Sequence, residues 1–309
     1  MPNLHDIERR ISSVSSTKQI TRTMEMVAAA KIRRASDRME RSLDAAQVLS
    51  DMLVSTAKYA PSDAEPLLCK HDVTKRSVVI VVTSDRGLAG GFNSNVLRCA
   101  EGIMNAKKRD GMEVDVIACG KKGIGYFEYR GVHPILSYKD LSADPTYEEA
   151  VDIANYLSSS YRDGTMDEAV IVFNHAKNPA EQRLVTEQIL PVPEDHLAEL
   201  LGIKQEEADI YYDFREHIDD KHVGDIDFEP DEQTVLSTLI QLYLSNMIFF
   251  SLIDSGAAEQ GARRTAMKSA TDNANEMVET LTRMYNRERQ GAITTEINEI
   301  VGGAAALED

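Results

Sequence analysis

Apolar residues near the start of the chain recur at intervals of three and four residues over more than fifty positions, interrupted by a serine-rich patch at 12–17. No proline lies between Asn3 and Ala60. The spacing predicts one helix from about Leu4 to Ala57, roughly 80 Å long at 1.5 Å per residue. A stripe this narrow is typical of a coiled-coil seam. The stripe consists of Leu4, Ile7, Ile11, Val14, Ile20, Met24, Val27, Ile32, Ala35, Met39, Leu43, Ala46, Leu49 and Leu53.

The end of the chain has a similar pattern. From Asp231 to Val301 there is again no proline, and apolar residues recur at helical spacing. Alanine at every fourth position between 258 and 274 allows a second backbone to approach closely. Two long terminal helices pair most simply as an antiparallel coiled coil. The second stripe consists of Leu236, Leu239, Tyr243, Met247, Ala258, Ala262, Ala266, Ala270, Ala274, Met277, Leu281 and Met284.

The middle of the chain has strand-like runs instead. The segments RSVVIVVTSD, EVDVIACG and DEAVIVFNH read as buried strands, and RLVTEQILPV reads as a fourth strand at an edge. Helical stretches near Asn93–Arg109 and Thr146–Tyr161 lie between them, so a small, mostly parallel α/β sheet with right-handed crossovers is predicted. We therefore divide the chain into a helix over 1–58, an α/β body over 59–230 with an acidic excursion over about 195–227, and a helix over 231–309.

Charge is unevenly distributed along the chain. The net charge is −17, from 51 acidic and 34 basic residues. Residues 181–232 hold 17 acids and 4 bases, whereas residues 18–41 hold 7 bases and 3 acids. A basic helix joined to an acidic body favours protein partners with charged surfaces over nucleic acid.

Composition excludes several other classes. No run approaches 18 consecutive apolar residues, so no membrane span is predicted, and the N-terminus has no signal or transit pattern. Cys69, Cys99 and Cys119 are far apart and form no C-x-x-C pair, which indicates free thiols.

Two glycine clusters follow predicted strands. TSDRGLAGGFNSN (83–95) has neither phosphate-binding nor dinucleotide-binding spacing, and CGKKGIGYF (119–127) has the order G-x-x-G-x-G. The first cluster is better explained by a tight strand-to-helix turn through Gly87, Gly90 and Gly91, with Asn93 or Ser94 as the N-cap.

No catalytic or metal-binding pattern stands out. His175, His217 and His222 lack metal-ligand spacing, and no nucleophile–base pair is evident, so no cofactor, metal or small-molecule substrate is predicted. Two alternatives stay open. One is a nucleotide-binding enzyme that uses Arg86 and the glycines at 87–91. The other is a coiled-coil scaffold or nucleic-acid clamp that uses the basic helix face, although acidic residues interrupt that face and no aromatic residue lies in it.

Three segments resemble one known family, the gamma subunit of the F-type ATP synthase. They are LHDIERRISSVSSTKQITRTMEMVAAAKIRRA at the start, SDRGLAGGFNSNV in the body, and EQGARRTAMKSATDNANEMVETLTRMYNRERQGAITTEINEIVGGAAALE at the end. The resemblance covers nearly the whole chain. It implies a Rossmann-like body joined to a coiled-coil shaft.

The resemblance also implies a function and partners. One copy of the shaft enters a hexamer of three alpha and three beta subunits, and the body rests with epsilon on the ring of c subunits. Ion flow turns the ring, and the shaft drives the catalytic beta sites through their conformations. The subunit itself catalyses nothing. We expect a peripheral protein at the cytoplasmic face of a bacterial plasma membrane. The segment 195–227 is longer and more acidic than is usual in the family.

The family pattern assigns contacts with the hexamer. Lys31, Arg33 and Arg34 would face an acidic lever segment of beta, and Met24 would lie where the first helix nears beta. Gln290 and Thr294 are one helical turn apart on one face. On the second helix the implied contact residues are Arg263, Arg289, Gln290 and Thr294, with Glu296 nearby.

Overall fold

The fold was obtained from a computed structural model that describes residues 4–57, 65–141, 145–178, 180–192 and 228–305. The predicted acidic excursion over 195–227 lies outside the described residues. In chain order the elements are α1 (Leu4–Ala57), a 3₁₀ turn (Pro66–Leu68), β1 (Arg76–Val82), α2 (Phe92–Arg109), β2 (Glu113–Cys119), α3 (Lys121–Tyr129), β3 (Leu136–Tyr138), α4 (Tyr147–Arg162), β4 (Glu168–His175), β5 (Arg183–Leu190) and α5 (Glu232–Ala305).

The chain forms two compact units. One consists of Ala30–Ala262, and the other combines Met1–Ala29 with Arg263–Asp309. Each of the terminal helices α1 and α5 contributes to both units. The division at residues 58 and 230 that the sequence suggests stays a prediction.

The unit Ala30–Ala262 is built on a five-stranded sheet in the order β3-β2-β1-β4-β5. β1 is parallel to both β2 and β4, β3 is parallel to β2, and β5 is antiparallel to β4 at the edge. The predicted mostly parallel sheet with the fourth run at an edge is therefore confirmed. The sequence analysis missed β3, which is three residues long, and α3, whose nine residues include two glycines.

Helices cover both faces of this sheet, because successive residues of a strand point to opposite sides. Val78 and Ile80 of β1 belong to the larger core cluster, which residues of α4 and of the first part of α5 complete. Val79 and Val81 face the other side, where α2 and α3 pack. An 18-residue window of α5 reaches a mean hydropathy of 1.6, which by length and composition suits a membrane span, but 61% of that window is buried in the fold, as in the core helix of many soluble proteins.

In the other unit, α1 and α5 pack antiparallel. The hydroxyl oxygens Oγ1 of Thr21 and Thr271 lie 2.7 Å apart and are buried. Because the helices are antiparallel, that pair places Leu4 of α1 opposite Glu288 of α5. On each helix, residues of reduced exposure recur at intervals of three and four; this stripe begins at Leu4 on α1 and ends at Glu288 on α5. On α1 the stripe is Leu4, Ile7, Ile11, Val14, Lys18, Thr21, Glu25 and Ala28, and on α5 it is Met267, Thr271, Ala274, Val278, Leu281, Tyr285 and Glu288.

This seam differs from the predicted stripe at several positions. Ile20, Val27, Met277 and Met284 were expected in the seam, but each is at least 45% exposed. The reason is that helical period, not the hydrophobicity of each residue, decides which positions face the partner helix. The intervals of three and four residues that start with Leu4, Ile7, Ile11 and Val14 continue to residues 18, 21 and 25. These three residues are polar, and their aliphatic parts line the seam.

Hydrogen bonds of Thr83 join the ends of β1 and β2, and Gly120 allows the close approach that they need. Thr83 follows β1; its hydroxyl donates to the carbonyl of Cys119 (2.9 Å) and accepts from the amide of Gly123 (2.8 Å). Gly120 has a positive φ of 96°, and a Cβ added there would lie 2.2 Å from the Thr83 carbonyl oxygen. Only glycine fits this position.

We expect Gly120→Ala to lower the free energy of unfolding by at least about 2 kcal/mol, because it adds both backbone strain and a clash with the main chain. Gly125→Ala is the matched control in α3, where the added Cβ meets nothing within 4 Å. The control should stabilise the protein by about 0.5–1 kcal/mol, since glycine is unfavourable inside a helix. Urea denaturation of both variants tests this, and equal midpoints would contradict it.

Candidate sheet crevice and partner-binding surfaces

The usual ligand position in an open α/β sheet lies between β1 and β4. Ligands of such sheets bind outside the carboxyl ends of the strands, where the chain connections diverge to opposite sides. Here β1 connects onward to β2 on one side, while β4 adds on the other. A nucleotide-binding enzyme would therefore use the ends of β1 and β4.

That crevice is filled by α5. Ala258 and Ala262 of α5 form a buried cluster with Ala89 and Phe92, which come from the turn after β1 and the start of α2. A cavity beside Thr83, lined also by Leu141 and Leu252, has a volume of about 10 Å³. A pocket for a small-molecule ligand needs roughly 300 Å³ or more, so this cavity is far too small for one.

A buried carboxylate fixes α5 at the end of β4. Asp254 is fully buried; its Oδ2 lies 2.6 Å from Nδ1 of His175, and its Oδ1 accepts from the amide of Ala176 at 2.9 Å. The hydrogen bond that the His175 ring donates to Asp254 raises the pKa of His175, although burial of the ring opposes this. Residues that sequence reasoning assigned to no site therefore join the sheet to the helix.

The glycine-rich turn after β1 has a structural role in this arrangement. Gly90 has a positive φ of 57°, as a tight turn requires. The N-cap prediction of Asn93 or Ser94 is wrong, because α2 begins at Phe92 with Gly91 as the N-cap. The Asn93 side chain reaches back instead and accepts a hydrogen bond from the amide of Ser84 at 2.9 Å. Its carboxamide closes the turn and does not cap the helix.

An open groove of about 710 Å³ lies between α2 and α3. Two of its basic side chains are already paired: Arg130 lies 2.7 Å from Glu101 and stacks over Tyr126, and Lys121 lies 2.5 Å from Asp140.

Over the part of the chain that the structure describes, no cluster of three or more His, Cys, Asp or Glu side chains could hold a metal ion. His217 and His222 lie outside that part.

The predicted contact residues of α1 differ in exposure. Met24 is half-buried in the unit that contains Met1–Ala29. Lys31, Arg33 and Arg34 are exposed in the other unit, and none of the three has an ion pair with another described residue. Arg38, by contrast, donates to the carbonyl of Pro145 at 2.5 Å.

The predicted contact residues of α5 fall into two groups. Arg263 is only 9% exposed, so its side chain is buried. Arg289, Gln290, Thr294 and Glu296 are all exposed, and the Thr294 hydroxyl donates to the carbonyl of Gln290 at 2.9 Å.

A bare segment of α5 carries the second group. Every residue from 289 to 301 is exposed, because the described part of α1 begins at Leu4, opposite Glu288. The stripe predicted from the sequence ended at Met284 and missed the apolar residues of this segment. Ile293, Ile297 and Ile300 recur at intervals of four and three, which is the signal that would have identified it. An exposed apolar stripe along a helix indicates a binding surface.

Comparisons with known proteins agree over the whole chain. A family model described as ATP synthase matches residues 3–307. The ATP synthase gamma chain of Cytophaga hutchinsonii is 37% identical over 310 residues, which cover 99% of each chain.

Solved structures have the same fold. A chain from the Euglena gracilis mitochondrial ATP synthase (OSCP/F1/c-ring, rotational state 3) matches with a TM-score of 0.64 at 19% identity, covering 98% of this chain and 94% of that one. A chain from the central stalk and c-ring of the Tetrahymena thermophila mitochondrial enzyme matches with a TM-score of 0.55 at 22% identity, covering 81% and 99%.

We expect Asp254→Asn to destabilise the protein more at pH 5.5 than at pH 9. A histidine whose pKa is raised in the folded state contributes stability below its unfolded pKa, and this contribution is lost as the pH rises through the folded pKa. Chemical denaturation at several pH values measures the difference from the wild type. Asp272→Asn, at an exposed position of α5, is the control and should show no such trend. A difference for Asp254→Asn that is the same at every pH would contradict the role of the charged pair.

Proposed function

The chain belongs to the gamma-chain family of the F-type ATP synthases, a non-catalytic subunit of the central stalk, and on this basis we propose that it transmits rotation between a ring of c subunits and a catalytic hexamer. The hexamer would contain three alpha and three beta subunits around one copy of this chain. As the asymmetric stalk turns, each catalytic beta site is driven through its conformations in sequence. In the opposite direction, ATP hydrolysis turns the stalk.

The bare end of α5 is the observation that carries this proposal. Its isoleucines extend past the described part of α1, and their exposure to water is unfavourable, at about 25 cal/mol for each Å² of apolar surface. A cavity that surrounds the helix would bury them on every side. Apolar contacts also have no fixed direction, so they let a helix turn within its surroundings more easily than hydrogen bonds do.

The polar residues next to these isoleucines supply the directional contacts. Arg289, Gln290, Thr294 and Glu296 would meet loops of beta at particular angles of rotation. Lys31, Arg33 and Arg34 would face an acidic segment of beta, since they are exposed and have no acidic partner among the described residues. Met24 would lie at the hexamer. Arg263 would support the stalk from within, because its side chain is buried.

The remaining partners follow from the same proposal. The α/β body would bind epsilon and the c-ring, and the complex would sit at the cytoplasmic face of a bacterial plasma membrane. No nucleotide would bind to this chain, in keeping with a crevice that α5 fills.

Assembly with the hexamer tests the proposal directly. The chain is produced together with the alpha and beta subunits of the same organism, and the purified complex is weighed by native mass spectrometry. We expect a mass of three alpha, three beta and one copy of this chain, together with ATPase activity. A folded chain that never joins the hexamer would overturn the proposal.

We expect Gln290→Ala combined with Thr294→Ala to reduce ATP-driven ion pumping by the reconstituted complex, because both side chains leave the surface proposed to meet beta. The melting temperature of the isolated subunit should change little, since both residues are exposed. Thr282→Ala combined with Thr280→Ala, also at exposed positions of α5, is the control. Unchanged pumping by the first pair would remove these two residues from the contact surface.

A further inference from the structure

The groove between α2 and α3 has the size of a ligand pocket. Its volume of about 710 Å³ lies within the roughly 300–1,000 Å³ of sites that bind small molecules. The first turns of both helices line one end of the groove, and the C-terminal end of α3 lines the other. The proposed transmission of rotation uses no side chain of this groove.

The groove is basic although the protein is strongly acidic. Four lysine or arginine side chains and one carboxylate, Glu101, line it, whereas the whole chain has a net charge of −17. Ion pairs already engage Arg130, with Glu101, and Lys121, with a residue outside the groove. Arg98 and Lys122 are both exposed, and neither forms an ion pair with another described residue. The groove therefore presents two uncompensated positive charges to a ligand.

Gly125 is an independent sign of a ligand, because the fold does not explain a glycine at this position of α3. Gly123 is required by packing, since an added Cβ would lie 2.8 Å from the hydroxyl oxygen of Thr83. At Gly125 an added Cβ would meet nothing within 4 Å, although glycine is unfavourable inside a helix. Gly125 lines the groove, so a side chain there would occupy part of the volume that a ligand needs.

The two unpaired cations match the charge of a phosphate monoester. Such a group carries about −1.5 to −2 charges at pH 7, whereas a carboxylate carries one. Arginine binds phosphate oxygens through two N–H groups, and lysine supplies a point charge. The first turn of α2, which has no side-chain cap, lies at the same end of the groove as Lys122, and its helix dipole adds to the positive potential there.

A nucleotide fits this groove less well than a smaller phosphate ester. Among the described residues, Tyr126 is the one aromatic side chain that lines the groove, and the guanidinium carbon of Arg130 lies 4.0 Å from the centre of its ring. A nucleobase that stacked on this ring would have to displace the cation. The organic part of the ligand is therefore expected to be small and to lack an aromatic ring.

We propose that the groove between α2 and α3 binds a small, non-aromatic phosphate monoester, with the phosphate held by Arg98 and Lys122 and the organic part against Gly125. The inference goes beyond the proposed function and does not depend on it, because every residue involved belongs to the unit Ala30–Ala262. Since both cations are exposed, binding weakens as the salt concentration rises.

Calorimetric titration of the full-length chain tests the role of the charges. Glycerol 3-phosphate is the probe, in a low-salt buffer free of phosphate, and we expect saturable binding of one molecule per chain. Arg98→Gln with Lys122→Gln should weaken binding at least tenfold, since both charges that meet the phosphate are removed. Lys108→Gln with Arg109→Gln is the control: it removes two exposed cations of α2 outside the groove and should stay within twofold of the wild type.

A second pair of variants tests the role of the space. Gly125→Leu fills part of the groove and should weaken binding at least tenfold. Gly102→Leu, at an exposed position of α2 where an added Cβ also meets nothing within 4 Å, should stay within twofold. Neither variant should lower the melting temperature, because leucine is a better helix former than glycine. If Gly125→Leu unfolds the chain, Gly125→Ala replaces it, and a loss of at least twofold is expected.

Three kinds of result would overturn the inference. The first is the absence of saturable binding up to about 10 mM glycerol 3-phosphate. The second is an equal loss of affinity in the groove variants and their controls. The third is tighter binding of AMP or of polyglutamate than of glycerol 3-phosphate, since the groove would then be a nucleotide site or a docking surface for an acidic chain.

Inorganic phosphate separates the phosphate from the organic part of the ligand. It should bind more weakly than glycerol 3-phosphate, because it makes no contact at Gly125, and should lose affinity at least tenfold in the variant that lacks Arg98 and Lys122. Affinity for phosphate that this variant retains in full would overturn the assignment of these two residues. The titrations leave the proposed function untouched, since assembly with the hexamer tests it separately.

Discussion

The helical period of the two terminal helices is the constraint on which the rest of the stalk unit depends. Intervals of three and four residues decide which side chains enter the seam, so polar residues such as Lys18 and Glu25 lie there while Ile20 and Val27 stay outside. The Thr21–Thr271 hydroxyl pair then fixes the alignment of one helix against the other. From that alignment follows which segment of α5 extends past the described part of α1.

In the unit that contains the sheet, small residues let α5 approach the strand ends where other proteins of this architecture bind ligands. The buried Asp254 joins the helix to the end of β4. The position available to a nucleotide in an open sheet is used here to hold a helix. The fold thus retains the sheet of a nucleotide-binding protein while its own chain occupies the crevice, as suits a subunit without catalysis.

Much of this architecture could be predicted from the sequence, because long periods and buried β-branched runs are strong signals. The predicted bounds of α1 agree with the structure, and the three parallel strands were found from runs such as RSVVIVV. The strand β3 has only three residues, too few for a period. The pair His175–Asp254 joins residues 79 positions apart, so no local pattern reveals it. The exposure of Ile20 and Val27 was missed because they were placed in the seam for their hydrophobicity. The intervals of three and four residues that begin at Leu4 exclude both positions.

The separation between the two halves of the seam sets when it forms. Thr21 and Thr271 are 250 residues apart in the sequence. At translation rates of about 5–20 residues per second, the first half of α1 leaves the ribosome tens of seconds before its partner exists. During that time the seam residues of α1 from Leu4 to Ala28 lack their partners on α5, and contacts this distant in sequence form late in folding. The vulnerable period of this subunit is therefore its synthesis, when the seam side of α1 is exposed until α5 is made.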